Sequence, residues 1–223
     1  LHFADFAQAG AARRFPLSAH DGYYCAPQVF YFRPHRTWYL ICQASDESWE
    51  PKYQAAFSTN ADVGDPNGWA PLRPLGAKPA RGKTGLDFWV ICDDANAHLF
   101  FTTLDGRMWR EQTPLAEFPR GWSQPKLALR GDIFEAGHTY RLRGAGLYLT
   151  VTEAQGGRGW RYFKAYLAER LEGPWRGVAD TKDRCFASMA NVTQPGGRWT
   201  DCISHGELLR AGSDERLELD PAN

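Results

Sequence analysis

The sequence has no apolar run long enough to cross a bilayer. Nothing in its 223 residues approaches the roughly 18 that a spanning helix needs. A charged stretch leading into an apolar segment is also missing, so no signal peptide is visible, and the chain opens on Leu1 rather than Met, which reads as a processed or truncated end. Net charge is absent: 26 Lys and Arg balance 26 Asp and Glu. That excludes the basic footprint of a nucleic-acid binder and the polybasic patch of a membrane-surface protein. Paired cysteines are scarce as well. Of the five, Cys25, Cys42, Cys92, Cys185 and Cys202, none forms a C-x-x-C pair, so zinc-ribbon spacing is excluded. Cys42 and Cys92 lie in apolar runs and read as small core residues. Cys185 and Cys202 flank a loop, where a bridge and two free thiols are both open readings, and the odd count leaves the redox compartment open. No G-x-S-x-G, H-E-x-x-H, P-loop or dinucleotide fingerprint occurs. Helical periodicity is missing over any long stretch.

Aromatic residues are what the chain has in excess: 9 Trp, 9 Tyr and 13 Phe, within an apolar fraction of 43%. That is a globular composition able to bury a core. Three tryptophans punctuate it at equal intervals. "PNGWAP" holds Trp69, "PRGWSQ" holds Trp122 and "EGPWRG" holds Trp175, with 122 − 69 = 53 and 175 − 122 = 53. Before each lie three short runs with strand composition. The first is 28–33, 87–93 or 138–143. The second is 37–43, 98–103 or 147–153. The third is 53–59, 107–113 or 161–168. Asp105-Gly106 is a two-residue hairpin signal, and Asp93-Asp94 reads as another turn. A repeat of about 50 residues with three or four strands per unit is the pattern of a β-propeller. A β-sandwich with accidental tryptophan spacing is the plainer alternative, but three features recur in register. Residues 1–26 resemble the tail of a preceding unit and 200–223 the start of a following one. The fold expected is therefore all-β, a five-bladed β-propeller. Five full blades need roughly 265–300 residues, so the first and last are incomplete here.

The first strand of a propeller blade lines the central channel. Gln28, Asp87, Glu135 and His205 open the successive units and are expected to converge on one pocket. Glu135, in "DIFEA", is a lone carboxylate where an aromatic strand begins, a costly placement unless it is paired or used. Two carboxylates facing one pocket suit glycoside hydrolysis, in which one acid protonates the leaving oxygen. Apolar neighbours such as Phe134 and Ala136 would favour its protonated form. The plainer readings are that Asp87 caps a strand and that Glu135 pairs with Arg161. Trp49, Trp89 and Trp160 read mostly as blade core.

Several motifs resemble glycoside hydrolase family 62. They are "APQVFYF" at 26–32, "WYLICQ" at 38–43, "DPNGW" ending at Trp69, "LDFWVICDDANAHLFF" at 86–101, "DIFEA" at 132–136, "RYF" at 161–163 and "ISHGELLR" at 203–210. They follow the family's order along nearly the whole chain. The resemblance implies an inverting α-L-arabinofuranosidase acting on arabinoxylan or arabinan. It implies a secreted, extracellular and monomeric enzyme whose partner is plant cell-wall polysaccharide, with no nucleic acid and no membrane. By position it makes Glu135 the general acid and Asp87 the carboxylate that tunes the acid and orients the sugar. Gln28 and Arg161 become substrate-binding residues. His205 becomes a channel residue that takes part in binding a cation such as structural calcium, with no cofactor required for the chemistry. Two departures stand out. The family's general base lies in a Lys-Asp motif upstream of the matched region, and neither Asp5 nor Asp21 corresponds to it. Asp201-Cys202 replaces the family's Asn-Asp before "ISHG". Residues 1–223 are thus expected to be a single catalytic domain lacking the strand that bears the base and the closing C-terminal segment. A β-xylosidase or endo-arabinanase on the same fold, and a non-catalytic carbohydrate-binding fragment, are the competing readings.

Overall fold

A computed structural model describes residues 6–15, 22–157 and 160–222. Three antiparallel sheets follow one another along the chain, each with its strands in sequence order. The first comprises β1 (Tyr24–Phe32), β2 (Thr37–Ser45), β3 (Tyr53–Asn60) and the two-residue β4 (Arg73–Pro74). The second comprises β5 (Leu86–Cys92), β6 (Asn96–Thr102), β7 (Arg107–Pro114) and β8 (Lys126–Arg130). The third comprises β9 (His138–Leu142), β10 (Leu147–Gln155), β11 (Arg161–Ala168) and β12 (Arg176–Ala179), with β13 (Glu218–Leu219) added in parallel along β9. These are propeller blades, and the first strands β1, β5 and β9 stand inward, next to one another. The nine longer strands match the runs expected from the sequence to within a few residues. The described residues hold three complete blades; the figure of five rests on repeat length.

The blades are nearly solid apolar layers because β-branched and aromatic residues fill both faces of the inner strands. Phe30, Phe32, Ile41, Trp89, Val90, Ile91, Leu99, Phe100 and Tyr140 are all buried in one continuous core. The loops after β7 and β11 each reach back to the blade before. Phe118 packs on Phe32 and Tyr39 of the first blade with Trp122 behind it, and Trp175 packs edge-on against Phe100 of the second. Two members of the tryptophan repeat thus help to seal neighbouring blades, Trp175 directly and Trp122 by backing Phe118. Of the other tryptophans, Trp89 is core, while Trp49, Trp69 and Trp160 are only partly buried.

Among the described residues from 200 to 222 there is one strand, the two-residue β13 on β9, so this stretch adds no complete blade. Residues 213–219 form an extended strap along the inner strands. Every second carbonyl accepts a backbone N–H in turn: Ser213 from Tyr31, Glu215 from Cys92, Leu217 from Arg141 and Leu219 from Arg143. Leu217 is fully buried, and the buried Glu215 carboxylate accepts both the backbone N–H and the Nε–H of Arg33. At the other end, Phe6–Ala11 is a 3-10 turn, not a strand; residues 1–5 and 16–21 lie outside the described residues. Cys185 and Cys202 are free thiols.

Candidate active site

Each inner strand carries the same irregularity near its start. In β1, Cys25 pairs with Gln43 and Gln28 with Ile41, so Ala26 and Pro27 together face one residue. In β5 the bulge is Asp87-Phe88. Before β9 it is Ala136-Gly137, since Glu153 donates its N–H to Glu135 and His138 pairs with Val151. The first bulge residue is left-handed each time: Ala26 at φ 49°, Asp87 at 51° and Ala136 at 49°. His205, also at 49°, continues the series. Left-handed non-glycine residues are strained and concentrate at functional positions. Here they turn the backbone into a cavity whose wall repeats as Ala26-Pro27-Gln28, Asp87-Phe88-Trp89, Ala136-Gly137-His138 and His205-Gly206-Glu207.

This register corrects the expected equivalence. Asp87 and His205 occupy matching positions, but Gln28 lies two residues after its bulge residue and Glu135 one before. The four side chains therefore do not play equivalent parts. Gln28 is buried, and its amide spans to the next blade: Nε2 donates to the Val90 carbonyl at 2.9 Å and Oε1 accepts the Val90 N–H at 2.8 Å. Both ends are committed to backbone, so Gln28 is a clamp between blades rather than a sugar contact. Trp89, its counterpart in the second blade, repeats the gesture, with Nε1 donating to Thr139 Oγ1 of the third.

Asp87, Glu135 and His205 do converge. One ligand atom from each lies within 4.8 Å of the others. Asp87 Oδ2 accepts the Ala136 N–H at 2.7 Å, and His205 Nε2 lies 3.3 Å from Glu135 Oε1. Burial pushes the Asp87 carboxyl above its ordinary range; the Ala136 N–H and His205 oppose this, and the charges of Glu135 and Glu153 reinforce it. Arg161, at the start of β11, stacks over the Phe134 ring and donates from one Nη to Glu135 and to Glu153. Glu135 therefore faces a guanidinium and an imidazole, not the apolar pocket its sequence neighbours implied. The direct contact of Arg161 is with these two carboxylates.

Glu153 is the residue that the sequence reading missed. It is fully buried on β10, and its second oxygen accepts the Ser204 hydroxyl and the His205 N–H. It ties β10, β11 and the 203–207 segment together beneath Glu135. The signal was present in "TVTEAQ", a lone carboxylate inside an apolar strand.

The sequence profile of glycosyl hydrolase family 62 matches residues 1–223. This chain belongs to that family. Alpha-L-arabinofuranosidase C of Cellvibrio japonicus (strain Ueda107) is 42% identical over 204 residues, which are 89% of this chain and 31% of that protein. The chain thus spans about a third of the length of this relative. The catalytic domain of a family 62 arabinofuranosidase from Coprinopsis cinerea superposes with a TM-score of 0.90 at 39% identity, covering 98% of this chain and 71% of that one. A Podospora anserina arabinofuranosidase, solved with cellotriose, gives 0.89 at 39% identity, with 99% and 71% covered. A further family 62 hydrolase, solved with xylotriose, gives 0.89 at 38%, with 99% and 72% covered. A family 43 glycoside hydrolase at 15% identity and a TM-score of 0.54 shares the fold alone.

Proposed function

We propose that this family 62 chain forms the catalytic core of an α-L-arabinofuranosidase that releases terminal arabinofuranosyl groups from arabinoxylan or arabinan, by inversion, outside the cell. The observation that carries the reading is the convergence of Asp87, Glu135 and His205 on one another beside a cavity that Asp87 and His205 line, in a chain so close to arabinofuranosidases. Relatives solved with xylotriose and cellotriose support a linear sugar chain as the ligand.

In this reading Glu135 protonates the departing glycosidic oxygen. It immediately precedes Ala136 of the cavity wall, with Arg161 and His205 fixing its carboxyl group. Asp87 is held by the Ala136 N–H and orients the sugar. The spacing excludes Asp87 as the water-activating base. Its nearest oxygen is within 4.8 Å of Glu135, whereas a pair that admits a water between them stands about 6.5–9.5 Å apart. The base is assigned to none of the described residues. That same short spacing supports a second reading, a retaining mechanism with Asp87 as nucleophile, for which about 5–5.5 Å is usual. Proton NMR of the first arabinose released by the full-length protein separates the two: β-arabinofuranose marks inversion and α-arabinofuranose retention. Glu135→Gln is expected to lower kcat on arabinoxylan by about 10²–10⁴-fold, the range for loss of a general acid. Wild-type kcat in that variant overturns the assignment. A cation finds only part of a shell here. The cluster offers two carboxylates and an imidazole where calcium takes roughly six to eight oxygens, and Glu135 is already paired with Arg161. The donor set does not fit calcium, and no step is assigned to it.

A further inference from the structure

An aromatic row beside the cavity has no part in the chemistry above. Tyr23 immediately precedes β1, Ser45 ends β2 and Tyr53 opens β3. Tyr23 donates its N–H to Ser45 Oγ at 3.0 Å and accepts the Ser45 N–H at 2.8 Å, while Ser45 pairs with Tyr53. Adjacent strands lie about 4.8 Å apart, so the tyrosines are separated by roughly twice that across Ser45. Because Ser45 is small, the two rings close over it and meet edge-on, with centroids 6.3 Å apart and planes at 63°. Both remain open to solvent, at 54% and 47% exposure, in a protein that buries most of its aromatic rings. Lys52 sits over Tyr53 and pairs with Glu47.

This row is continuous with the cavity. Tyr23 and Cys25, two residues apart in one extended segment, share a strand face. Cys25 Sγ lies 3.9 Å from Gln43 Oε1. Cys25 holds the position in the first blade that Glu135 holds in the third, and it precedes Ala26 on the cavity wall. At about 3.3 Å per residue, Tyr23 is roughly 10 Å from Ala26, a reach of about two sugar rings. A pyranose in a linear chain presents a flat face of C–H groups, and tyrosine offers a rigid, amphipathic surface for it at little entropic cost.

We propose that Tyr23 and Tyr53, with Gln43 between them and the cavity, form a stacking platform for the unbranched pyranose chain that carries the arabinofuranosyl group. The proposal rests on the reading above for its choice of sugar. Calorimetric titration of the full-length protein with unsubstituted xylohexaose tests it. Tyr23→Ala and Tyr53→Ala are each expected to raise Kd about tenfold, and Tyr23→Trp to keep it within about threefold. Tyr53→Ala removes a ring from a different strand, so it repeats the test if Tyr23→Ala lowers the melting temperature. Wild-type affinity in both alanine variants, or no xylohexaose binding by the wild type, overturns the platform. Arabinose release from arabinoxylan, followed alongside, separates the two proposals. Tyrosine-dependent binding without arabinose release sinks the hydrolase reading and leaves the platform. Arabinose release with tyrosine-independent binding does the reverse.

Discussion

Ala136 donates its backbone N–H to the Asp87 carboxylate at 2.7 Å, and both residues are the left-handed first members of their bulges. The contact joins two successive blades at the cavity wall. It aims a carboxylate by backbone geometry, which no side-chain substitution elsewhere duplicates. Glycine adopts this conformation freely, whereas a β-branched residue is strongly disfavoured there. Ala136→Gly is therefore expected to keep arabinose release within a few-fold of wild type. Ala136→Val is expected to cost about 1–3 kcal/mol of stability and to lower kcat about tenfold or more. Thermal unfolding and initial rates check the pair. Equal activity in the two variants would detach the bulge from the site.

Glu153 and Glu135 share a single guanidinium nitrogen of Arg161. Removing the buried charge by Glu153→Leu leaves Ser204, the His205 N–H and Arg161 without their common acceptor. A loss of about 3–5 kcal/mol is expected, as for breaking a buried ion pair. Glu153→Gln still offers an oxygen to Ser204 and His205 but no charge to Arg161. It is expected to fold with a smaller loss while kcat falls, because Arg161 then has only Glu135 as an anionic partner in this cluster. Denaturant unfolding and kcat measured on both variants test this separation. A leucine variant as stable as wild type would show that the network contributes little.

Gln28 replaces a missing stretch of β-ladder between blades by pairing both polar ends of its side chain with Val90. Gln28→Leu fits the same space but leaves a buried N–H and a buried C=O without partners. At about 1–3 kcal/mol for each of the two unsatisfied groups, a loss of roughly 2–6 kcal/mol is expected. Urea unfolding measures it. Xylohexaose affinity in the folded fraction should stay near wild type, since the amide faces backbone and not ligand.

The strands were legible because their pattern is local: aromatic and β-branched runs between turn residues, recurring with the tryptophans. Asp87 and Glu135 were legible as carboxylates at the openings of inner strands. Their register was not. A bulge adds one residue, and whether Glu135 or Ala136 matches Asp87 depends on a backbone angle that side-chain spacing does not encode. Gln28 looked like a polar channel residue, and only the position of Val90 shows where its amide goes. Glu153 was hidden for a related reason. Its partners Arg161, Ser204 and His205 lie 8, 51 and 52 positions away, and nothing in the sequence links them to Glu153 until the fold brings them together. The strap at 213–219 was not legible, because a short extended chain has the same composition whether it opens a blade or runs along other strands.

Glu111, on β7, makes stability depend on pH. Its carboxylate is fully buried, with one oxygen accepting the Lys78 N–H at 2.7 Å and the other without a partner among the described residues. Burial pushes this carboxyl up from 4.5 to about 7, against the Lys78 N–H and charge. A raised folded value means that the native state holds the proton more tightly than the unfolded chain does. The stability linked to that proton is complete below about 4.5 and declines as the pH rises, until the folded form also ionises near 7. The difference corresponds to an order of magnitude of about 3 kcal/mol. Glu111→Gln keeps an acceptor for Lys78 and removes the ionisation, so its stability should hardly change from pH 4.5 to 7.5. The wild type should lose ground to it over the same interval. Urea midpoints measured across this range decide the matter: parallel curves for the two proteins would mean that Glu111 ionises in the folded protein much as it does in the unfolded chain.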